Sequence, residues 1–282
     1  MAKHKTKVAI LGAEGMLGSD ICLALKAARF SVDCYNHNSC DITDSEEIAA
    51  AVHGHEYIVN CAAFTDVEAA EKQPGKAYAV NATAVAKLAR QVAAVGAYLL
   101  HFSSDFVFDG LTRKPYKESA PPHPVNVYGK TKYEGEKMLR EVCPDAGILR
   151  IQWTYGHAGD NFIKKVIRKS RDAPEVTVVD DQIGTPTWTK DIALNVPQIL
   201  DARLAGIMHY APQGHASRYE VAKFAVEEMR LPARLVACKS SDFPTTAKRP
   251  GNTCFDCALL ASSIDLHQPD WQRSLSEFLN QL

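Results

Sequence analysis

Tyr128 and Lys132, four residues apart in Tyr128-Gly129-Lys130-Thr131-Lys132, define the chemistry this sequence can support. On a helix that spacing puts both side chains on one face. A free phenol titrates near ~10, too high for acid–base work near neutrality, and an adjacent ammonium favours the phenolate and lowers that value. The pair suits delivery of a proton to the alkoxide that forms when a carbonyl is reduced, and Lys132 can also hold the ribose of a nicotinamide. The same spacing occurs on ordinary helix surfaces, so its meaning depends on its company. Upstream, Ser103-Ser104-Asp105 closes an apolar run, and the Ser104 hydroxyl can donate to the same carbonyl oxygen; polar residues there are otherwise turn formers.

A second chemical feature lies near the start. Gly12-Ala13-Glu14-Gly15-Met16-Leu17-Gly18 follows a short apolar run and opens directly into a helix. In such a turn one glycine permits the tight bend, one lets the backbone approach a pyrophosphate, and one allows helix and strand to pack closely. Met16 and Leu17 begin the helix, whose N–H donors and positive dipole end face the ligand. A dinucleotide site of this kind places an acid about 20 residues on, against the ribose 2′-hydroxyl. The stretch here reads Tyr35-Asn36-His37-Asn38, putting Asn36 at that place. Without a carboxylate nothing repels a 2′-phosphate, yet no arginine is present to embrace one; the reading leans to NADPH, with NADH as the alternative. In Cys40-Asp41-Ile42-Thr43, Asp41 beside Ile42 can accept from an adenine amino group or cap the next helix.

The elements that must carry these residues alternate. Strands are expected at 7–11, 31–35, 57–60, 98–103 and 146–150, with helices at 15–28, 44–52, 77–95 and 126–142 between them. Strand–helix alternation implies right-handed crossovers and a mainly parallel sheet covered on both faces, an α/β doubly wound architecture of Rossmann type. Residues 1–152 form the nucleotide-binding domain in this reading. Residues 153–282 are less regular, with helices at 161–170, 219–229 and 271–279 and strands at 176–179 and 207–210, and form a smaller substrate-binding lobe interleaved with the sheet.

Composition limits the alternatives. The 282 residues are 46% hydrophobic and 23% charged, as in globular enzymes, and 32 basic against 33 acidic residues leave no net field to recruit nucleic acid or an anionic membrane. Residues 1–7 carry three lysines, but the apolar run behind them is too short for a signal-peptide core or a membrane span, so a cytoplasmic location is expected. The eight cysteines are scattered, and the lone Cys254-x-x-Cys257 and the pair His53 and His55 lack the partners of a metal site. No metal is expected.

Taken in order, these segments resemble the dTDP-4-dehydrorhamnose reductase family of extended short-chain dehydrogenase/reductases. The resemblance covers most of the chain. It rests on 60–68 (NCAAFTDVE), 101–110 (HFSSDFVFDG), 126–132 (NVYGKTK), 150–153 (RIQW), 181–187 (DQIGTPT) and 249–252 (RPGN). It implies that Ala62, Ala63 and Thr65 line the cofactor, and that Ser104 stands where the family usually has threonine. It also implies sugar contacts from Val67, Asp105 and Trp153, and nucleotide contacts from Arg249 and Asn252. Phe106 replaces a common tyrosine. The acidic positions through which some members dimerise around magnesium do not recur, Lys190 and Asp191 standing in that region, so a monomer or metal-free homodimer is expected. Sibling dehydratases carry Asp-Glu after the strand-end hydroxyl, where this chain has Asp105-Phe106; epimerases share the cofactor turn and the Tyr/Lys pair. The sequence also resembles the non-catalytic regulatory β-subunit of methionine adenosyltransferase, an alternative that binds NADP without turnover.

Overall fold

The computed structural model describes residues 6–243 and 245–282; residues 1–5 of the basic opening segment lie outside them, as does residue 244. Six parallel strands form the central sheet: β1 (Lys7–Leu11), β2 (Ser31–Tyr35), β3 (Tyr57–Asn60), β4 (Tyr98–Ser104), β5 (Gly147–Ile151) and β6 (Gly206–His209), in the spatial order β6-β5-β4-β3-β1-β2. The inner strands are covered on both faces: every residue of β3 and β4 is buried, whereas the edge strand β2 is partly exposed. Helices α1 (Met16–Ala27), α2 (Ser45–Val52), α3 (Ala84–Val95), α4 (Val127–Val142) and α5 (Thr189–Asp201) supply the cover. Ile21 and Leu25 of α1 join Ile192, Val196 and Ile199 of α5 in one core beneath the sheet. Ile48 of α2, Leu88 and Val92 of α3, and Leu139 of α4 fill the other face. The strand order reverses between β1 and β3, leaving a crevice at their carboxyl ends.

Beyond β5 the chain builds a second packed layer. A parallel ribbon of Glu175–Val179 and Arg234–Cys238 lies with the helices Phe162–Asp172 and Arg218–Glu228 over Val166, Val176, Ala222 and Val226. Between these segments the chain returns to add β6 to the edge of the main sheet.

Two local differences from the periodicity have physical causes. The helix expected over 77–95 is interrupted by a wide turn at Ala79–Thr83. That turn buries Asn81, whose side chain accepts from Phe64 N–H at 2.9 Å and donates to the Phe64 carbonyl and the Thr131 hydroxyl, both at 3.1 Å. The irregularity thus ties the loop after β3 to α4, a role that helical spacing does not reveal. Helix α5 has no counterpart among the expected elements; it carries Pro197 in its interior, a residue that removes a backbone donor and ordinarily argues against helix.

Arg150 on β5 and Glu136 on α4 form a bidentate ion pair at 2.8 and 2.6 Å, both side chains 1% exposed. Removing one partner leaves an uncompensated buried charge, a loss of about 3–5 kcal/mol. Glu136→Ala is expected to lower the unfolding free energy by about that amount in urea titration, whereas Glu175→Ala, which removes an exposed partner of Arg234, changes it by less than about 1 kcal/mol. Equal losses in the two variants would refute the assignment.

Candidate active site

At the crevice, the carboxyl ends of β1, β3 and β4 open into a cleft of about 1150 Å³. Gly12 turns the chain at φ +77, and a Cβ there would come within 2.7 Å of the Ala62 nitrogen, so the bend requires glycine. Gly18 lets α1 press against that turn, since a Cβ would overlap the Gly12 carbonyl oxygen. Gly15 caps α1 with no side-chain bond, leaving the first N–H groups and the positive helix end open to the cleft. A backbone that allows close approach, with unpaired donors beside it, fits a pyrophosphate.

The remaining residues expected on the cofactor, Met16, Leu17, Asn36, Asp41, Ile42, Ala62, Ala63 and Thr65, all line this cleft. Asp41 is occupied locally: the Thr43 amide and hydroxyl both donate to Oδ1 at 2.8 Å and hold the carboxyl below its ordinary range. The cap of α2 is Asp44. Asn36 has a partner that the sequence did not foretell, Glu14 Oε1, which accepts from its Nδ2 at 2.6 Å.

Tyr128, Lys132 and Ser104 meet in the same cleft. Helix α4 starts at Asn126, whose side chain accepts from Gly129 N–H at 2.8 Å. A Cβ on Gly129 would overlap the Phe106 carbonyl oxygen, so the glycine after Tyr128 lets this first helical turn rest on the exit of β4. The Tyr128 ring meets Phe106 edge-on at 5.6 Å. Burial pushes the Tyr128 phenol up to about 12, with the Ser104 hydroxyl pulling it down and the Asp105 carboxylate adding to the rise. The lowering anticipated from Lys132 is therefore not supplied by the protein alone. Burial instead brings the Lys132 amine down to about 8, opposed by the charge of Glu136.

Lys132 Nζ donates to the Phe102 carbonyl at 2.7 Å and lies 3.3 Å from His101 Nε2. The protons in this chain of contacts can be assigned. Asn60 Oδ1 accepts from Ala62 N–H at 3.1 Å, so its Nδ2 is the atom 3.1 Å from His101 Nδ1. His101 Nδ1 then accepts, and the neutral ring carries its proton on Nε2, facing Lys132. Burial, and next the charge of Lys132, hold His101 well below its ordinary value. Lys132 donates to the Phe102 carbonyl in either charge state and accepts from that His101 N–H only in its neutral form, toward which burial moves it. His101 and Asn60 were passed over in the sequence because they lie within strands read as apolar; a polar residue inside a fully buried strand was the available signal.

On the other side of the cleft, Ser104 Oγ donates to Asp105 Oδ1 at 3.0 Å and accepts from Phe106 N–H at 3.2 Å. Burial pushes the Asp105 carboxyl up to about 6, against the pull of the Thr253 and Ser104 hydroxyls and the Arg218 guanidinium. Trp153 sits at φ 44, its ring under the Arg218 guanidinium at 3.6 Å. Arg218 and Arg249 also line a second cavity of about 770 Å³, together with Lys165, Lys169 and Lys248. Arg218 has no motif in the sequence to announce it. Val67 and Asn252 line neither cavity. Val67 begins the short helix Val67–Lys72, and the Asn252 amide is engaged by the Thr112 carbonyl at 2.8 Å and Cys254 N–H at 3.0 Å.

A hydroxyl at a strand end, a tyrosine and a lysine one helical turn apart, and a glycine turn opposite them on a doubly wound sheet are the arrangement of the short-chain dehydrogenase/reductases. Within that class, a family model described as RmlD substrate binding domain matches residues 6–282. The chain is 33% identical over 279 residues to the spore coat polysaccharide biosynthesis protein SpsK of Bacillus subtilis, covering 98% of each. It is 40% identical over 259 residues to a dTDP-4-dehydrorhamnose reductase of Streptomyces griseus, covering 88% of this chain and 84% of the relative. The crystal structure of dTDP-4-dehydrorhamnose reductase from Bacillus anthracis in complex with NADP superposes with a TM-score of 0.95 at 31% identity, over 99% of this chain and 100% of that one. The protein therefore belongs to the dTDP-4-dehydrorhamnose reductase family.

Carbon-13 NMR tests the electrostatics directly. The Asp105 carboxyl is expected to titrate near 6, charged above that value and neutral below it. Arg218→Met, by removing an attracting cation, raises the midpoint further. A midpoint at the ordinary carboxylate value of about 4 in the intact protein would refute this account.

Proposed function

We propose that this protein reduces the 4-keto group of a nucleotide-linked sugar with NADPH or NADH, converting dTDP-4-dehydro-L-rhamnose to dTDP-L-rhamnose. The convergence of Ser104, Tyr128 and Lys132 in a cleft whose glycine turn fits a dinucleotide carries this reading. In it, residues 1–152 hold the coenzyme and residues 153–282 mainly hold the sugar nucleotide. The protein works in the cytoplasm as a monomer or homodimer without nucleic-acid or membrane partners. None of the helices among the described residues is long and apolar enough to cross a membrane.

The coenzyme, when bound, supplies hydride to the carbonyl carbon. The α1 N-terminus and the turn around Gly12 and Gly15 bind its pyrophosphate, and Lys132 positions the nicotinamide ribose. Ser104 Oγ donates a hydrogen bond to the carbonyl oxygen. Tyr128 holds a proton on Oη, kept there by burial, and releases it to that oxygen as it becomes an alkoxide. Lys132, on the same helix face, stabilises the resulting phenolate. Asp105 and the Trp153 ring orient the sugar, and Arg218 and Arg249, which line one cavity, suit the charge of a diphosphate. Because Phe106 follows Asp105, the second acid of a dehydratase is missing.

The test is loss of reduced-nicotinamide absorbance with dTDP-4-dehydro-L-rhamnose. Wild type is expected to oxidise the coenzyme, and Tyr128→Phe to lower kcat by about 10²–10⁴-fold. Wild type that binds coenzyme but leaves it reduced would defeat the assignment.

A further inference from the structure

Folds of this type discriminate between coenzymes at the end of the second strand, where an acid accepts the ribose 2′-hydroxyl of NAD or an arginine embraces the 2′-phosphate of NADP. Here β2 ends at Tyr35 and is followed by Asn36-His37-Asn38, with neither. The glycine turn is bonded to that strand end, Gly12 and Ala13 N–H both donating to the Tyr35 carbonyl at 2.9 Å. The next residue, Glu14, is thereby delivered beside Asn36, where its Oε1 accepts from Asn36 Nδ2 at 2.6 Å. The amide cannot reverse: Asn36 Oδ1 accepts from Asn38 N–H and Ser39 N–H, both at 3.0 Å, so Nδ2 must face Glu14.

The side-chain partner of the Glu14 carboxylate is the neutral Asn36 amide. Asp41 shares the wall, and Glu47 accepts from the Asp41 amide at 2.6 Å. The lysines on the cleft wall are Lys76 and Lys132, His37 also lines it, and Lys87 donates from Nζ to the Thr43 carbonyl at 2.7 Å. No arginine lines the cleft among the described residues.

We propose that Glu14 sets coenzyme discrimination in this chain: held by Asn36, its carboxylate accepts the 2′-hydroxyl of NADH and works against the 2′-phosphate of NADPH. The glycine turn thus takes over the task that the end of β2 performs in other dinucleotide sites. This rests on the reading of the cleft as a nicotinamide-coenzyme site.

Calorimetric titration of NADP⁺ and NAD⁺ into wild type, Glu14→Gln and Glu14→Lys, without sugar, tests it. The glutamine variant keeps an acceptor for Asn36 and loses only the charge. Its ratio of NADP⁺ to NAD⁺ affinity is expected to rise about tenfold at low salt, with a larger rise for lysine, and the gain to shrink as the Debye length falls from about 30 Å at ~0.01 M to about 10 Å at ~0.1 M salt. A ratio that moves by less than about twofold in both variants, where a charge contact of this kind demands more, would overturn the proposal. Because no sugar is present, a protein that binds both nucleotides yet reduces no sugar still decides the question through the ratio. Wild type that binds neither nucleotide would overturn this inference together with the coenzyme reading beneath it.

Discussion

The buried contact between Arg150 and Glu136 fixes the geometry on which the site depends. Tyr128, Lys132 and Glu136 follow one another at four-residue steps along one face of α4. Clamping Glu136 to β5 through two charge-assisted hydrogen bonds sets the rotation of the whole helix about its axis, and so aims the two residues before it into the cleft. Arg150 is itself confined by the Phe108 ring at 5.0 Å and by His209 at 3.4 Å. The pair also acts electrostatically, because the charge of Glu136 opposes the loss of the Lys132 proton that burial promotes.

Away from that pair, burial drives the ionisable groups of the cleft toward their neutral forms. The phenol keeps its proton, the Lys132 amine and the His101 ring release theirs more readily, and the Asp105 carboxyl is drawn toward neutrality. This is what removal from water imposes. A protein interior with few compensating charges favours groups that exchange protons without leaving an isolated ion behind, which suits a reaction that ends with a proton on oxygen.

Much of this was legible in the sequence, for reasons that differ from element to element. The strands at 7–11 and 57–60 and helix α4 stand where periodicity put them because burial on two faces, or on one helical stripe, leaves a regular apolar mark. The glycine turn was legible because close backbone approach restricts residue type. Glu14 and Arg218 were not. Each does its work through a partner distant in the chain, Asn36 in one case and Trp153 in the other, and no spacing rule encodes such a meeting. The wide turn at Ala79–Thr83 escaped for a related reason, since it exists to satisfy Asn81 against a loop and another helix.

The left-handed backbone of Trp153 has a bearing on how this site changes over evolutionary time. Its indole ring occupies the space above Gly184, where a Cβ would come within 2.5 Å. A side chain at position 184 therefore requires a smaller one at 153, and a smaller residue at 153 opens a hollow that only a larger one at 184 refills. The two positions are therefore sterically coupled, and remodelling this wall of the cleft takes paired substitutions of which the first is disfavoured.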